Sequence, residues 1–180
     1  MHRSDFIHLH LHTQYSLLDG ACRIPELLSL ASQYKMDSLA ITDHGNIFGA
    51  IDFYLEAQKA GIKPIIGCEV YVSPGSRLEK ASLSIEEASY HLILLSKDEE
   101  GYHNLMKLVS IGYLEGFYYR PRIDKEILSE YSKGLIALSA CLKGEVPVAI
   151  SQKRFNDAIK TADTYLSIMG KDNFYLEIQE

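Results

Sequence analysis

The 180-residue sequence has no run of eighteen apolar residues, and its start, Met1-His2-Arg3-Ser4-Asp5, lacks the apolar stretch of a secretory leader. A soluble protein without a membrane association is the expectation. Cysteine is sparse: Cys22, Cys68 and Cys141 are odd in number, far apart and free of any C-x-x-C pattern. That usage excludes a disulfide framework, fits reduced thiols and predicts a cytoplasmic location. Basic charge is also short, with 18 Lys and Arg against 24 Asp and Glu, a formal net charge of -6. Gripping nucleic acid by bulk attraction needs a basic surface, so any such contact must be local or helped by metal ions or other domains. The sequence lacks a P-loop, H-E-x-x-H and G-x-S-x-G, which removes three common catalytic classes. Internal repeats and low-complexity tracts are missing too.

Nearly half the residues are apolar, enough for one core of ordinary size and too few residues for two comfortable domains. Short β-like runs at 6–11, 38–42, 64–72, 91–95, 135–139 and 174–178 alternate with helical patterns. This rhythm predicts βα units around a parallel sheet, closed as a barrel or left open and doubly wound. Pro25 suits a first helical turn, with Leu27, Leu30, Ala31 and Tyr34 on one face. Leu105, Leu108, Val109 and Gly112 repeat the spacing, as do Phe155, Ala158, Ile159, Ala162, Leu166 and Met169, with Gly170 as a C-terminal cap. Residues 73–88 are polar and weakly patterned and read as a loop. The sequence closes on a strand-like Phe174-Tyr175-Leu176-Glu177-Ile178, which predicts a domain truncated before its last strands.

Chemistry concentrates at strand ends. His8-Leu9-His10-Leu11-His12 alternates with period two, so on a strand the three imidazoles would share one face. A single such histidine is more often a solvent-facing polar residue; three in alternation point to a metal. The apolar run 38–42 leads into Asp43-His44-Gly45-Asn46, and Pro64-Ile65-Ile66-Gly67-Cys68 ends on Glu69. In parallel βα folds the strand ends converge on one rim, so His10, His12, His44 and Glu69 can meet in space. Asp19 reads on its own as a turn residue before Gly20, and Cys141 as a small buried hydrophobe. His91 opens a strand instead of closing one, so its place at a rim does not follow from pattern. A set of imidazoles and carboxylates suits zinc, manganese or iron better than magnesium or calcium. Two such ions roughly 3.5 to 4 Å apart can activate water and stabilise the oxygens of an in-line phosphoryl displacement. Phosphate-ester hydrolysis is the chemistry expected.

The order and spacing of His10-x-His12, Leu18-Asp19-Gly20, Thr42-Asp43-His44, Gly67-x-Glu69, His91 and Ser139-Ala140-Cys141 resemble the polymerase and histidinol phosphatase, or PHP, domain. Tyr15 to Gly20, Gly101-Tyr102-His103-Asn104-Leu105 and the run from Gly116 to Asp124 further resemble the form that begins the alpha subunits of bacterial DNA polymerase III. The resemblance spans essentially the whole chain. It implies a distorted TIM-like βα barrel holding two to three divalent ions, zinc or manganese, with His10, His12, Asp19, His44, Glu69, His91 and Cys141 as ligands. His10, His12, His44 and Glu69 would carry the catalysis. It also implies a parent that makes DNA together with other replicative subunits, and a module that acts as a metal-dependent 3′-5′ proofreading exonuclease. Two further readings remain beside it: a non-catalytic module stabilised by metal, and a free-standing phosphomonoesterase of the histidinol phosphatase kind.

The family's final Asp-x-His motif does not occur in residues 1–180, nor do the carboxylates of a polymerase palm. The chain therefore reads as 1–180 of an incomplete PHP domain. Asp43 is expected to orient a neighbouring ligand, and His8 to lie behind the ligands or in packing. Arg120 and Arg122, amid Phe117, Tyr118 and Tyr119, are candidates for nucleic-acid contact, with a domain-interface patch as the plainer alternative.

Overall fold

The chain is described from a computed structural model covering residues 6–80, 84 and 88–179. Six strands form one sheet: Ser38–Ile41 (β1), Lys63–Val72 (β2), Tyr90–Ser96 (β3), Arg122–Ile123 (β4), Leu135–Leu138 (β5) and Phe174–Tyr175 (β6). Ile24–Gln33 (α1), Ala50–Ala60 (α2), Glu99–Leu114 (α3), Lys125–Glu130 (α4), Glu145–Ser151 (α5) and Phe155–Met169 (α6) are helical. The sheet order is β1-β2-β3-β5-β6, with β4 pairing the upper end of β2 beyond the reach of β1.

The sheet is not uniformly parallel. β1 and β4 run parallel to β2, and β6 parallel to β5, but β3 is antiparallel to both β2 and β5. Residues 73–88, expected as a loop, contain no helix among those described. A parallel return needs a crossover of a dozen or more residues, usually a helix; the antiparallel pairing of β3 with β2 needs none.

Alternation along the strands separates two environments. Cys68, Val70 and Val72 of β2, with Leu92, Leu94, Leu135 and Ala137, pack outward against Leu105 and Leu108 of α3, Ile127 and Leu128 of α4, and Tyr165 and Met169 of α6. Leu39 and Ile41 do the same beneath α1 and α2. The opposite face carries Ala40, Ile65, Ile93, Leu95, Ile136 and Leu138 as a second apolar layer. Above it, at the same parity, stand Glu69 and Tyr71 of β2 and His91 of β3, because the register pairs Glu69 with Ile93 and Tyr71 with His91. Gly67 lies directly below Glu69 on that face. A Cβ there would sit 2.6 Å from Leu94 O and 2.7 Å from a Leu95 methyl, so only glycine allows this approach.

The sheet curls on itself. Residues 8–11 run beside β1, where Ala40 N donates to His8 O and Thr42 N to Leu11 O. At the other edge, the chain after β6 returns so that His10 Nδ1 lies 2.7 Å from Glu177 Oε1. The two edges therefore meet at the rim, as in a barrel, while below them a 1360 Å³ cavity floored by Ile65, Leu95, Ile136 and Leu138 keeps the wall open. This is a distorted βα barrel with an open wall, and the doubly wound alternative falls away.

Several expectations need correction. Residues 6–11 do not form a strand, because Leu11 N donates to Thr42 Oγ1 and the ladder is broken there. The buried face of α1 is Ile24, Leu28 and Ala31, with Leu30 and Tyr34 exposed. In α6 it is Ala158, Tyr165 and Met169, whereas Phe155, Ile159 and Leu166 stay exposed. Gly170 does cap α6, with φ +80° and its N–H on Leu166 O. Among the described residues, no helix is long and apolar enough to cross a membrane.

Candidate metal centre

Glu69 is fully buried, and no Lys or Arg pairs with it among the described residues. A carboxylate taken out of water without compensation is costly, so what surrounds it must accommodate the charge. Four imidazoles do. His10 Nε2 lies 2.7 Å and His12 Nε2 3.1 Å from Glu69 Oε2. On the other oxygen, Oε1, His91 Nδ1 is in contact and His44 Nδ1 lies 3.8 Å away. Two donor groups thus share one carboxylate: His10, His12 and Glu69, and His44, Glu69 and His91.

Each member arrives by a different route. His10 and His12 come from the segment beside β1. His44 follows β1, where Glu69 N donates to Asp43 O and Gly45 N to Glu69 O, which locks the His44 turn to β2. Gly45 takes φ +63° against the Tyr71 ring, a conformation and a clearance that favour glycine. His91 stands at the beginning of β3. Because β3 is reversed, its beginning lies at the same rim as the ends of β1 and β2, which accounts for a residue that strand pattern left unplaced.

Asp19 and Cys141, implied as ligands by the resemblance alone, lie beside the two donor groups and belong to neither. Asp19 is exposed, with Oδ2 3.0 Å from His44 Nε2. Cys141 Sγ is 3.8 Å from His91 Nδ1, on a turn where Ala140 holds φ +60°. Asp43 is buried and accepts from Thr13 N at 2.6 Å, Thr13 Oγ1 at 2.7 Å and Ser16 Oγ at 2.8 Å. Ser16 Oγ accepts in turn from His44 N. Asp43 therefore anchors the loop that follows His12 to the turn that carries His44.

Burial disfavours the charged form of His12, His44 and His91, with repulsion from neighbouring imidazoles added to it. For His91 the value falls to about 3. At neutral pH these rings are uncharged and have lone pairs to offer. Among the described residues, buried His12 Nδ1 and His44 Nδ1 have no hydrogen-bond partner. Assigning the Nδ1 proton of His10 to its contact with Glu177 leaves a lone pair at Nε2 facing the Glu69 carboxylate. Lone pairs converging on an anion with buried atoms unpaired are a donor set for a cation, and the residues fit divalent metal ions.

Three residues of the site were not found by sequence reading. Glu177 binds the far nitrogen of His10, as carboxylates do behind metal-bound histidines. Its carboxyl is partly buried, and the His10 contact nonetheless holds it below the usual carboxylate range. Tyr71 packs parallel to His44 and edge-on to His91. Thr13 supports Asp43. Tyr71 had a signal, since it follows Glu69 by two on the same strand face; Glu177 had none beyond closing a strand-like run.

Two expectations fail on position. His8 is exposed, its ring edge-on to Phe6, and it makes none of the cluster's contacts, because the segment is not a regular strand. Arg122 is only 1% exposed. Its guanidinium donates to Gly116 O, Ala88 O, Arg77 O and Glu79 O, so its hydrogen bonds are spent on tying loops together. Arg120, by contrast, sits at the site, with Nη1 3.4 Å from His91 Nε2.

The PHP domain family matches residues 8–180 of the chain. The DNA polymerase III subunit alpha of Borreliella burgdorferi is 56% identical over 98% of the chain and 15% of its own length. That of Treponema pallidum is 47% identical over 100% of the chain and again 15% of its own length. The chain thus spans about a seventh of these relatives. A solved amidohydrolase from Chromobacterium violaceum is 28% identical, with a TM-score of 0.43 over 59% of this chain and 33% of that one.

Proposed function

The chain belongs to the PHP domain family, and on that premise we propose that it is the PHP region of a DNA polymerase III alpha subunit, acting as a metal-dependent 3′-5′ exonuclease on single-stranded DNA ends. The polymerase assignment draws on the identity to alpha subunits over nearly the whole chain, and on the small share of those relatives that it spans. A parent that copies DNA, works with other replicative subunits and resides in the cytoplasm goes with that assignment.

One observation carries the phosphoesterase reading: two groups of imidazoles meet on the buried Glu69 carboxylate, with ligand atoms left unpaired. We assign His10, His12, Asp19, His44, Glu69, His91 and Cys141 to two or three divalent ions, zinc or manganese. When bound, those ions supply Lewis-acid activation of water and neutralisation of the phosphate charge. The chain's own residues set the geometry. Glu69 bridges the two donor groups, Glu177 orients His10, and Asp43 holds the His12 loop to the His44 turn.

Degradation of a 3′-labelled single strand by the metal-loaded chain, and its loss in His44→Ala, is the test. Tightly bound metal without degradation in the unaltered chain would reduce the site to a structural one.

A further inference from the structure

Arg120 stands apart from the other cations of the molecule. It is half-buried, and among the described residues no carboxylate pairs with it. Its guanidinium lies 4.8 Å from the centre of the Tyr71 ring, and Nη1 is 3.4 Å from His91 Nε2. Tyr71 and His91 both pack against His44, so this cation rests against the wall of the metal centre itself. The backbone keeps it there. Arg120 O accepts from Tyr118 N across a tight turn whose tip, Tyr119, holds φ +59°, a conformation that costs a non-glycine residue free energy. Two residues on, Arg122 is fixed by four backbone carbonyls, so the turn has little freedom.

A guanidinium has five donors in a planar fork that matches two oxygens of a phosphate. Here, among the described residues, its polar contacts are a long one to the His91 ring nitrogen and one to the Tyr71 side chain, neither of them an anion, so most of the fork's five donors are left for a ligand. We propose that Arg120 is the phosphate-anchoring residue of this site, binding non-bridging oxygens of the phosphate ester. This rests on the phosphoesterase reading above and adds to it the residue that binds the anion. Lys143 also lowers the His91 ring's basicity, but its side chain is exposed and only its backbone carbonyl touches His91.

The test is binding of inorganic phosphate to the manganese-loaded chain, read as broadening of the phosphorus resonance, with metal content measured on the same samples. Arg120→Ala is expected to weaken binding roughly 10- to 100-fold, the scale of a lost charge-assisted hydrogen-bond pair, with metal content unchanged. Arg120→Lys should recover part of it, since a point charge lacks the fork. Lys143→Ala should stay within about twofold of wild type. Unchanged phosphate affinity in Arg120→Ala, loss of metal from it, or an equal loss in Lys143→Ala would each overturn the proposal while leaving the metal centre standing. Failure of the unaltered chain to hold manganese would overturn the phosphoesterase reading and this proposal together.

Discussion

His10 and Glu177 are 167 residues apart in sequence, and their side chains meet at 2.7 Å where the two edges of the sheet come together. The contact is both the seam of the barrel and the support of a ligand, so the closure of the fold and the alignment of His10 depend on the same pair.

Glu177→Gln should therefore weaken metal binding about 10- to 100-fold, the usual effect of losing a carboxylate behind a metal-bound histidine. The amide keeps the size but gives up the charge that favours the His10 Nδ1 proton. Competition against a chelating dye reads the affinity, and an unchanged circular dichroism spectrum shows that the fold is kept; wild-type affinity would remove Glu177 from the site.

Gly67→Ala tests the layer below the metal centre. The new methyl meets Leu94 O and a Leu95 methyl inside 3 Å, and the backbone oxygen cannot give way cheaply. Overpacking of this kind costs about 1 to 3 kcal/mol, and the melting temperature should fall by several degrees. An unshifted melting curve would mean that β2 and β3 are not in the described register.

Arg122→Ala should destabilise by more than about 3 kcal/mol, since four carbonyls lose a charged donor and a fully buried volume is emptied. Chemical denaturation measures the loss. If stability holds while single-strand binding drops, the arginine belongs to a nucleic-acid surface after all.

Asp124 gives a pH dependence away from the metal centre. Burial alone would raise its carboxyl, but N–H donors from Arg77 and Ile127 and the Arg77 guanidinium outweigh that and hold it below its ordinary 3.8. The unfolded chain thus takes up the proton first as pH falls. Stability from this group is fully present above about pH 4 and disappears as pH drops through the lower folded value. Asp124→Asn should flatten the acid limb of a stability-against-pH curve and lower its neutral plateau by about 1 kcal/mol or more, because the amide can still cap α4 but gives up the charge that pairs with the Arg77 guanidinium. An acid limb identical to wild type would contradict this.

What could be read from sequence follows the range of each interaction. His44 and Glu69 end apolar strands, and strand ends converge on one rim in this architecture, so a local pattern was enough to bring them together. His91 needed the direction of β3, which depends on whether residues 73–88 carry a crossover helix, and polar composition alone did not convert that loop into a reversed strand. His8 was misplaced because period-two alternation assumes an unbroken ladder, and the Thr42 hydroxyl replaces one of its backbone partners. The α1 face slipped by one position because Ile24, ahead of Pro25, begins the buried row rather than Leu27. Arg120 and Arg122 look alike in sequence. Only the carbonyls around one and the aromatic and imidazole rings around the other divide a structural arginine from one beside the metal centre.

The central claim is that Glu69 joins two metal-binding groups, and elemental analysis of the purified chain beside Glu69→Gln tests it most directly. The account predicts zinc or manganese retained through gel filtration by the unaltered chain, and metal content falling below one ion per chain in Glu69→Gln, with both groups lost together. A variant that keeps its full metal complement, or an unaltered chain that holds none after incubation with either ion, would contradict it.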